Sequence, residues 1–136
     1  INAPDIWFED ASIDAAEIFI GSKSTTMNLL NNISLASLLT IDADLCLGGN
    51  AESLFVQEID ILSGKSLDID NLQLYVDGDV ESMLDGWIGD NRLYSSFYGQ
   101  IDAVYDPMET RTYVIPEPAT LALLAVGGLL LRRRRA

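Results

Sequence analysis

Four aspartates near the middle of the chain are the side chains best suited to chemistry. Asp68, Asp70, Asp77 and Asp79 lie close together in the sequence, and Asp77-Gly78-Asp79 places two carboxylates about a tight turn. Calcium binds about six to eight oxygen atoms supplied by flexible loops, so a calcium site is one interpretation. The stretch lacks the spacing of an EF-hand loop and the glycine-rich nonapeptide of calcium-binding β-rolls. We therefore expect a solvated acidic face and no metal site.

The residue types that most enzymes use are scarce. The chain has no histidine, and Cys46 is its single cysteine, flanked by Leu45 and Leu47. Histidine is the commonest general base, and a lone cysteine between leucines is expected to be a partly buried, unreactive thiol. Two carboxylates would suffice for glycoside hydrolysis, but most acidic residues alternate with apolar ones and are expected to face solvent. The sequence predicts no catalytic residues, no cofactor and no enzyme activity.

Aromatic residues concentrate towards the end of the part that precedes Pro116. They are Trp87, Tyr94, Phe97, Tyr98, Tyr105 and Tyr113. Exposed rings would stack on the sugars of an extracellular matrix, whereas buried rings would fill a small core. Burial is the favoured interpretation, because aromatic side chains supply much of the apolar area in small domains.

Short β-type segments dominate the chain up to about residue 79, separated by Gly, Asn, Ser and Asp clusters that predict turns. The predicted strands are 6–8, 18–20, 38–41, 54–61 and 67–76. In the runs Leu67-Asp68-Ile69-Asp70 and Ile59-Asp60-Ile61, apolar and acidic residues alternate. Because successive side chains of a strand point to opposite faces, the apolar residues are expected inside and the aspartates outside.

An Ile-Asp pair recurs at equal intervals along the chain. It occurs at Ile13-Asp14, Ile41-Asp42 and Ile69-Asp70. The interval falls within the range of about 20 to 50 residues that is typical of stacked repeats. In a chain of short strands it predicts a right-handed parallel β-helix, or solenoid, whose units bury their apolar faces by stacking. The three isoleucines are expected to stack in neighbouring turns with their side chains inward, and the three aspartates to point outward. The alternative all-β fold is an antiparallel β-sandwich.

The pattern changes after Gly78. Val80, Met83, Leu84, Trp87 and Ile88 have the spacing of an amphipathic helix, which Gly89-Asp90-Asn91 would end. Residues 100–105 and 110–115 then predict a hairpin around the turn 106–109. We expect residues 80–115 to form a cap that covers the last strand edge of a β-repeat region spanning residues 1–79.

The end of the chain combines three features in a fixed order. Pro116-Glu117-Pro118 precedes an uncharged run, Ala119 to Leu131, and four arginines follow, Arg132, Arg133, Arg134 and Arg135. Uncharged apolar residues partition into a bilayer, whereas burying arginine there is costly, so the arginines are expected on the cytoplasmic side. The segment predicts a single hydrophobic transmembrane helix of about 20 Å, with snorkelling arginines compensating for its shortness.

This segment resembles the PEP-CTERM sorting signal of bacterial exported proteins, in which Pro-Glu-Pro, a hydrophobic helix and a basic tail follow one another. The resemblance covers residues 116–136. It implies that an exosortase-type membrane enzyme removes the tail near Pro116-Glu117-Pro118. It also implies a precursor held transiently in the inner membrane and a mature form at the cell envelope, the cell surface or outside the cell.

Charge limits the partners of the remaining chain. Residues 1–115 carry 20 acidic and four basic residues, a net charge of −16. Such a surface repels nucleic acids and anionic lipid, so no nucleic-acid partner is expected. Because the chain starts at Ile1 without an export signal, we expect the β-repeat region to be truncated and a signal peptide to lie upstream.

Together these features predict a non-catalytic, exported protein that acts as a structural or adhesive element of the cell surface or extracellular matrix. Extracellular polysaccharide is a candidate partner. The alternative is a carbohydrate- or calcium-binding module delivered by the same sorting signal.

Overall fold

The computed structural model describes residues 1–10, 12–31 and 33–116, which form a parallel β-solenoid of about three turns with one short helix. In chain order its elements are β1 (Asp5–Glu9), β2 (Ser12–Ile13), β3 (Glu17–Ile20), β4 (Thr26–Leu30), β5 (Ile33–Ile41), β6 (Asp44–Gly49), β7 (Ser53–Ile61), β8 (Ser66–Asp68), β9 (Gln73–Asp77), α1 (Glu81–Gly89), β10 (Leu93–Tyr94), β11 (Ile101–Asp106) and β12 (Arg111–Pro116). The predicted strands 6–8, 18–20, 38–41 and 54–61 lie within these elements, whereas the predicted strand 67–76 is split by a turn.

Two sheets enclose one core. The five-stranded sheet has the order β1-β4-β6-β8-β10, and all its neighbours are parallel. The seven-stranded sheet has the order β11-β12-β9-β7-β5-β2, with β3 also paired to β5. Its strands are parallel except for β11 and β12. This parallel winding confirms the predicted solenoid and shows that the antiparallel sandwich is wrong.

Aliphatic side chains stack from one coil to the next in the interior. Met27, for example, is fully buried and pairs with Ile6 in the preceding coil and Leu47 in the following one. In the other sheet, Leu54 pairs with Leu74 and both are fully buried. Since alternate residues of each strand point inward, one buried residue per coil builds a continuous ladder. The hydrophobic effect therefore stabilises each coil mainly through its neighbours.

The predicted period, in which Ile13, Ile41 and Ile69 would stack, is wrong. Ile41 pairs with Ile20, and Ile13 pairs with Leu35. Stacked positions thus recur after a shorter stretch of chain than the one that separates the Ile-Asp pairs. Ile41 and Ile69 do point into the core, but Ile13 is only half-buried. The equal spacing of the pairs was accidental, because Ile and Asp are abundant at alternating positions of the strands.

Left-handed backbone turns form the corners that set this shorter period. Asp10 and Asn31 have φ angles of 46° and 66°, a region in which Asn and Asp are tolerated better than most residues. The Asn31 side chain donates a hydrogen bond to Asp10 Oδ2 at 3.2 Å, and the Asn31 backbone N–H donates to Asn50 Oδ1 at 2.8 Å. Successive corners are therefore linked through polar side chains.

The helix and hairpin form where the sequence predicts them. Leu84 and Trp87 are the buried residues of α1, and the helix ends at Gly89. The β11–β12 hairpin closes through the turn 107–110, and β12 pairs antiparallel with β9, the last strand of the parallel series in its sheet. Within the described part of the chain, no helix is long and apolar enough to cross a membrane.

A buried threonine joins the hairpin to the start of the helix. The Thr112 hydroxyl donates to the Gly78 carbonyl at 2.8 Å and accepts from the Val80 backbone N–H at 3.1 Å. Thr112 is fully buried, so its hydroxyl joins these two backbone groups from inside the junction. We refer below to residues 1–79 as the parallel stack and to residues 80–116 as the helix–hairpin segment.

Candidate processing site

The last strand ends where the predicted sorting motif begins. Pro116 is the final residue of β12, and it lies opposite Ile101 at the start of β11. The other residues predicted to serve sorting lie outside the described residues: Glu117, Pro118, the hydrophobic helix 119–131, and Arg132, Arg133, Arg134 and Arg135. Pro116 is thus the one residue of Pro116-Glu117-Pro118 that the structure places, at the end of a paired strand.

The strand that leads to Pro116 is held on both edges. Val114 is 1% exposed, and it lies opposite Leu74 of β9 and Ala103 of β11. The alternation of buried Val114 with partly exposed Tyr113 and Ile115 is that of a strand with one core face. The folded part of the chain therefore continues up to the first proline of the motif.

Acidic side chains surround the hairpin. The Tyr113 hydroxyl hydrogen-bonds to Glu109, and this bond to a carboxylate is the main reason why the pKa of Tyr113 rises to about 12. Burial raises the pKa of Asp85, whose Oδ1 accepts the Ala103 N–H at 3.3 Å. Asp85 therefore links the helix to β11, whereas the bond between Tyr113 and Glu109 lies within the hairpin.

The final residues of this strand open a recognisable sequence motif. Residues 114–135 match the family model of the PEP-CTERM protein-sorting motif. The chain carries this sorting motif. It implies an exported protein that an exosortase processes at the membrane and that reaches the cell surface. No curated protein and no solved structure matches the chain.

The sorting motif overlaps the folded part. Its match begins at Val114, and Val114, Ile115 and Pro116 all belong to β12. Val114 contributes to the core, so the start of the motif has a structural role as well as its sorting role. A flexible linker between the solenoid and the start of the motif is therefore excluded.

The four aspartates considered for calcium fall into two separate places. Asp68 and Asp70 lie at the end of β8, whereas Asp77 ends β9 and Asp79 precedes the helix. In the described ranges, no three His, Cys, Asp or Glu side chains are grouped as metal ligands would be. Asp79 Oδ1 instead accepts the backbone N–H of Glu81 at 3.4 Å.

Asp68 is not on the solvent face where alternation predicted it. It is 6% exposed, and its Oδ1 accepts the backbone N–H groups of Asp70 at 2.9 Å and Ser96 at 3.0 Å. The carboxylate is buried because it satisfies two donors in turns of different coils. An aspartate side chain commonly accepts the backbone N–H two residues further along the chain in a local turn. This tendency was the sequence signal that could have indicated the role of Asp68.

Cys46 is exposed, and its expected partial burial is wrong. It lies on the outward side of β6, between the buried Leu45 and Leu47. Its pKa is raised, chiefly by local desolvation and then by the negative charges of Asp68 and Asp70. The thiol is therefore less ionised than an ordinary cysteine at neutral pH, which agrees with the expected low reactivity.

The expected burial of the aromatic cluster is correct only in part. Trp87 is buried, and Tyr94, Tyr105 and Tyr113 are half-buried. Phe97 and Tyr98, however, are 65% and 38% exposed. They contact each other edge-to-face, with ring centroids 5.0 Å apart. Aromatic side chains thus contribute to the surface of this protein as well as to its core.

Proposed function

We propose that the protein is a non-catalytic structural or adhesive component of the cell surface or extracellular matrix, delivered there by its sorting motif. The observation that carries this proposal is the direct continuity of the motif with a parallel stack. Strand β12 belongs to both the motif and the sheet that extends the stack. A stack with one uninterrupted aliphatic core is a stiff element, and it presents outward sheet faces on which side chains can vary without loss of the fold.

The same proposal includes the route of delivery. The hydrophobic run 119–131 anchors the precursor in the inner membrane, with Arg132 to Arg135 on the cytoplasmic side, and an exosortase-type enzyme then cleaves near Pro116-Glu117-Pro118. The cost of moving arginine through the bilayer supports this orientation. Extracellular polysaccharide is the partner that suits a surface component with exposed aromatic rings.

Processing is tested by mass spectrometry of the mature protein from its host. We expect no peptide from Leu121 to Ala136 in the mature form. Replacing the motif glutamate (Glu117→Ala) should leave the precursor in the membrane, whereas Glu109→Ala, which changes an exposed carboxylate outside the motif, should be processed normally. An abundant mature form with an intact C-terminus would overturn the proposed route.

The adhesive or structural role is tested in cells that lack the protein. Deletion should reduce cell–cell or cell–matrix cohesion, and the complete gene should restore it. The Glu117→Ala gene should restore it less well, because its product stays in the membrane. Unchanged cohesion in the deletion strain, with the protein normally abundant at the wild-type surface, contradicts the role.

A further inference from the structure

A row of outward side chains crosses the seven-stranded sheet. The pairing register places Ser12 beside Ser34, Ser34 beside Phe55, Phe55 beside Tyr75, and Tyr75 beside Tyr113. All five are exposed or half-buried. Since paired strands lie about 4.8 Å apart, the row extends about 19 Å. We call these five residues the outer row; one end bears hydroxyl groups and the other bears aromatic rings.

A polar groove lies beside the hydroxyl end of the outer row. It has a volume of about 640 Å³ and is open to solvent, and Ser12 and Ser34 form part of its lining. The corner residues Asp10, Asn31 and Asn50 also line it. The groove thus offers hydroxyl, amide and carboxylate groups within one concave surface. Such groups can form hydrogen bonds with several hydroxyl groups of one ligand.

A second polar depression continues the groove towards β9. This depression of about 270 Å³ shares Asn50 and Glu52 with the first and extends to Gln73 and Tyr98. Gln73 is two positions from Tyr75 in the same strand, so both side chains point outward. Polar groups therefore accompany the row from Ser12 as far as β9, and the exposed ring of Tyr98 lies at the far end of the second depression.

The rings of the outer row are held in place. Tyr75 and Tyr113 meet edge-to-face, with centroids 4.7 Å apart, and the Arg111 guanidinium lies 5.0 Å above the Phe55 ring. The Tyr75 hydroxyl hydrogen-bonds to Gln73. Because these contacts already order the side chains, a ligand that stacks on them loses less conformational entropy.

This arrangement suits a polymer of sugars. Sugar rings present C–H groups that pack on aromatic faces and hydroxyl groups that bond to amides and carboxylates. A row that repeats at each strand can contact successive sugars of one chain. The net charge of −16 on residues 1–115 opposes binding of polyanions. We propose that the outer row and its groove bind an uncharged polysaccharide chain that lies across the strands. This choice of ligand rests on the proposed adhesive function.

The test is binding of the full chain, in detergent, to immobilised polysaccharides. The probes are the uncharged polymers cellulose, dextran and a β-1,3-glucan, the anionic polymer polygalacturonate, and the cationic polymer chitosan. We expect retention on at least one uncharged polymer that survives high salt. The double variant Phe55→Ala with Tyr75→Ala should lower the affinity about tenfold or more, as expected when two stacking rings are lost.

Two further variants make the test specific. Glu52→Ala changes an exposed groove residue without touching the core, and it should weaken binding several-fold even if the double variant proves unstable. The matched control Phe19→Ala removes a 42% exposed ring from β3 of the same sheet, outside the row, and should bind normally. Circular dichroism verifies the fold of each variant.

Three results would overturn the inference: no retention on any uncharged polymer, retention only on chitosan that high salt abolishes, or equal losses for the Phe19 and outer-row variants. If one of these results is obtained while deletion of the gene still reduces cohesion, the adhesive function is retained. Only the polysaccharide specificity is then rejected.

Discussion

The parallel stack and the helix–hairpin segment achieve close packing in different ways. In the stack, aliphatic ladders such as Ile6, Met27 and Leu47 join successive coils, and the backbones of adjacent coils lie in direct contact. The helix–hairpin segment is joined to the stack by the short parallel pairing of β10 with β8, by the antiparallel pairing of β12 with β9, and by a few buried polar groups, Thr112 among them. The stack should therefore be most sensitive to added volume at the backbone, and the junction to lost hydrogen bonds.

The largest effect is expected at Gly49 in the stack. Its φ is +93°, and a β-carbon there would lie 2.2 Å from the Leu29 carbonyl oxygen. Gly49→Ala combines backbone strain with a clash against backbone and should lower the free energy of unfolding by about 3–5 kcal/mol. Urea denaturation of the full chain in detergent measures this.

Gly64 is the matched control for Gly49. Its φ is +75°, but a β-carbon there would meet nothing within 4 Å. Gly64→Ala should cost about 1–2 kcal/mol, the strain alone. Equal losses in the free energy of unfolding for Gly49→Ala and Gly64→Ala would show that the close approach of adjacent coils adds nothing to the cost at Gly49.

The next effect concerns Asp68, which ties the stack to the helix–hairpin segment. Asp68→Ala leaves the N–H groups of Asp70 and Ser96 without their acceptor and should cost about 2–4 kcal/mol. Asp68→Asn retains an acceptor oxygen and should cost less. Hydrogen exchange should accelerate at both amides in the alanine variant, and unchanged protection there would contradict the role assigned to the carboxylate.

A smaller loss is expected at Thr112 within the junction. Thr112→Val keeps the shape but removes the hydroxyl that serves Gly78 and Val80, and should cost about 1–3 kcal/mol. The control is Thr25→Val, whose exposed hydroxyl donates to the Pro4 carbonyl at 2.9 Å and can be replaced by water. A loss at Thr25 as large as that at Thr112 would remove the distinction between buried and exposed polar contacts.

The smallest effect is a pH dependence at Tyr113. Its pKa is raised to about 12 because its hydroxyl bonds to Glu109, so the folded protein retains this proton more strongly than the unfolded chain. The resulting stabilisation is complete below the ordinary tyrosine pKa of about 10 and is lost as the pH rises from about 10 to 12.

Ultraviolet titration of the phenols, with Tyr113→Phe to identify the contribution, measures that pKa. Glu109→Gln should move the midpoint back towards the ordinary value. A midpoint that Glu109→Gln leaves unchanged would assign the shift to another neighbour.

Local patterns in the sequence predicted the helix–hairpin segment better than the stack. The helix at Glu81–Gly89 and the hairpin follow from spacing within one element and from one turn. The solenoid class was predicted correctly from short strands and the recurrent Ile-Asp pair, although that recurrence is not the stacking period. The true period could not be predicted, because coil length depends on corners such as Asp10 and Asn31, whose left-handed conformation is one of several that these residues adopt.

The candidate sites show the same division. The sorting motif is a linear signal and was identified from the sequence, although its match begins at Val114, two residues before the predicted start at Pro116. The outer row was not, because Ser34, Phe55 and Tyr75 come together only through the inter-strand register. Alternation assigns a side chain to a face but not to a neighbour, and a one-residue error in register moves it to the opposite face. Asp68 was misplaced for a related reason, since its partner Ser96 lies in another coil.

The pairing of β12 on both edges has a mechanical consequence. This strand continues directly into the sorting motif, so a pull on the motif is transmitted to the folded part through it. Its partners β9 and β11 both run antiparallel to it, and their hydrogen bonds lie roughly perpendicular to its length. A pull along the strand is shared among all these bonds in shear, whereas a pull at right angles would open them one at a time. The attachment point is therefore strongest along the direction of β12.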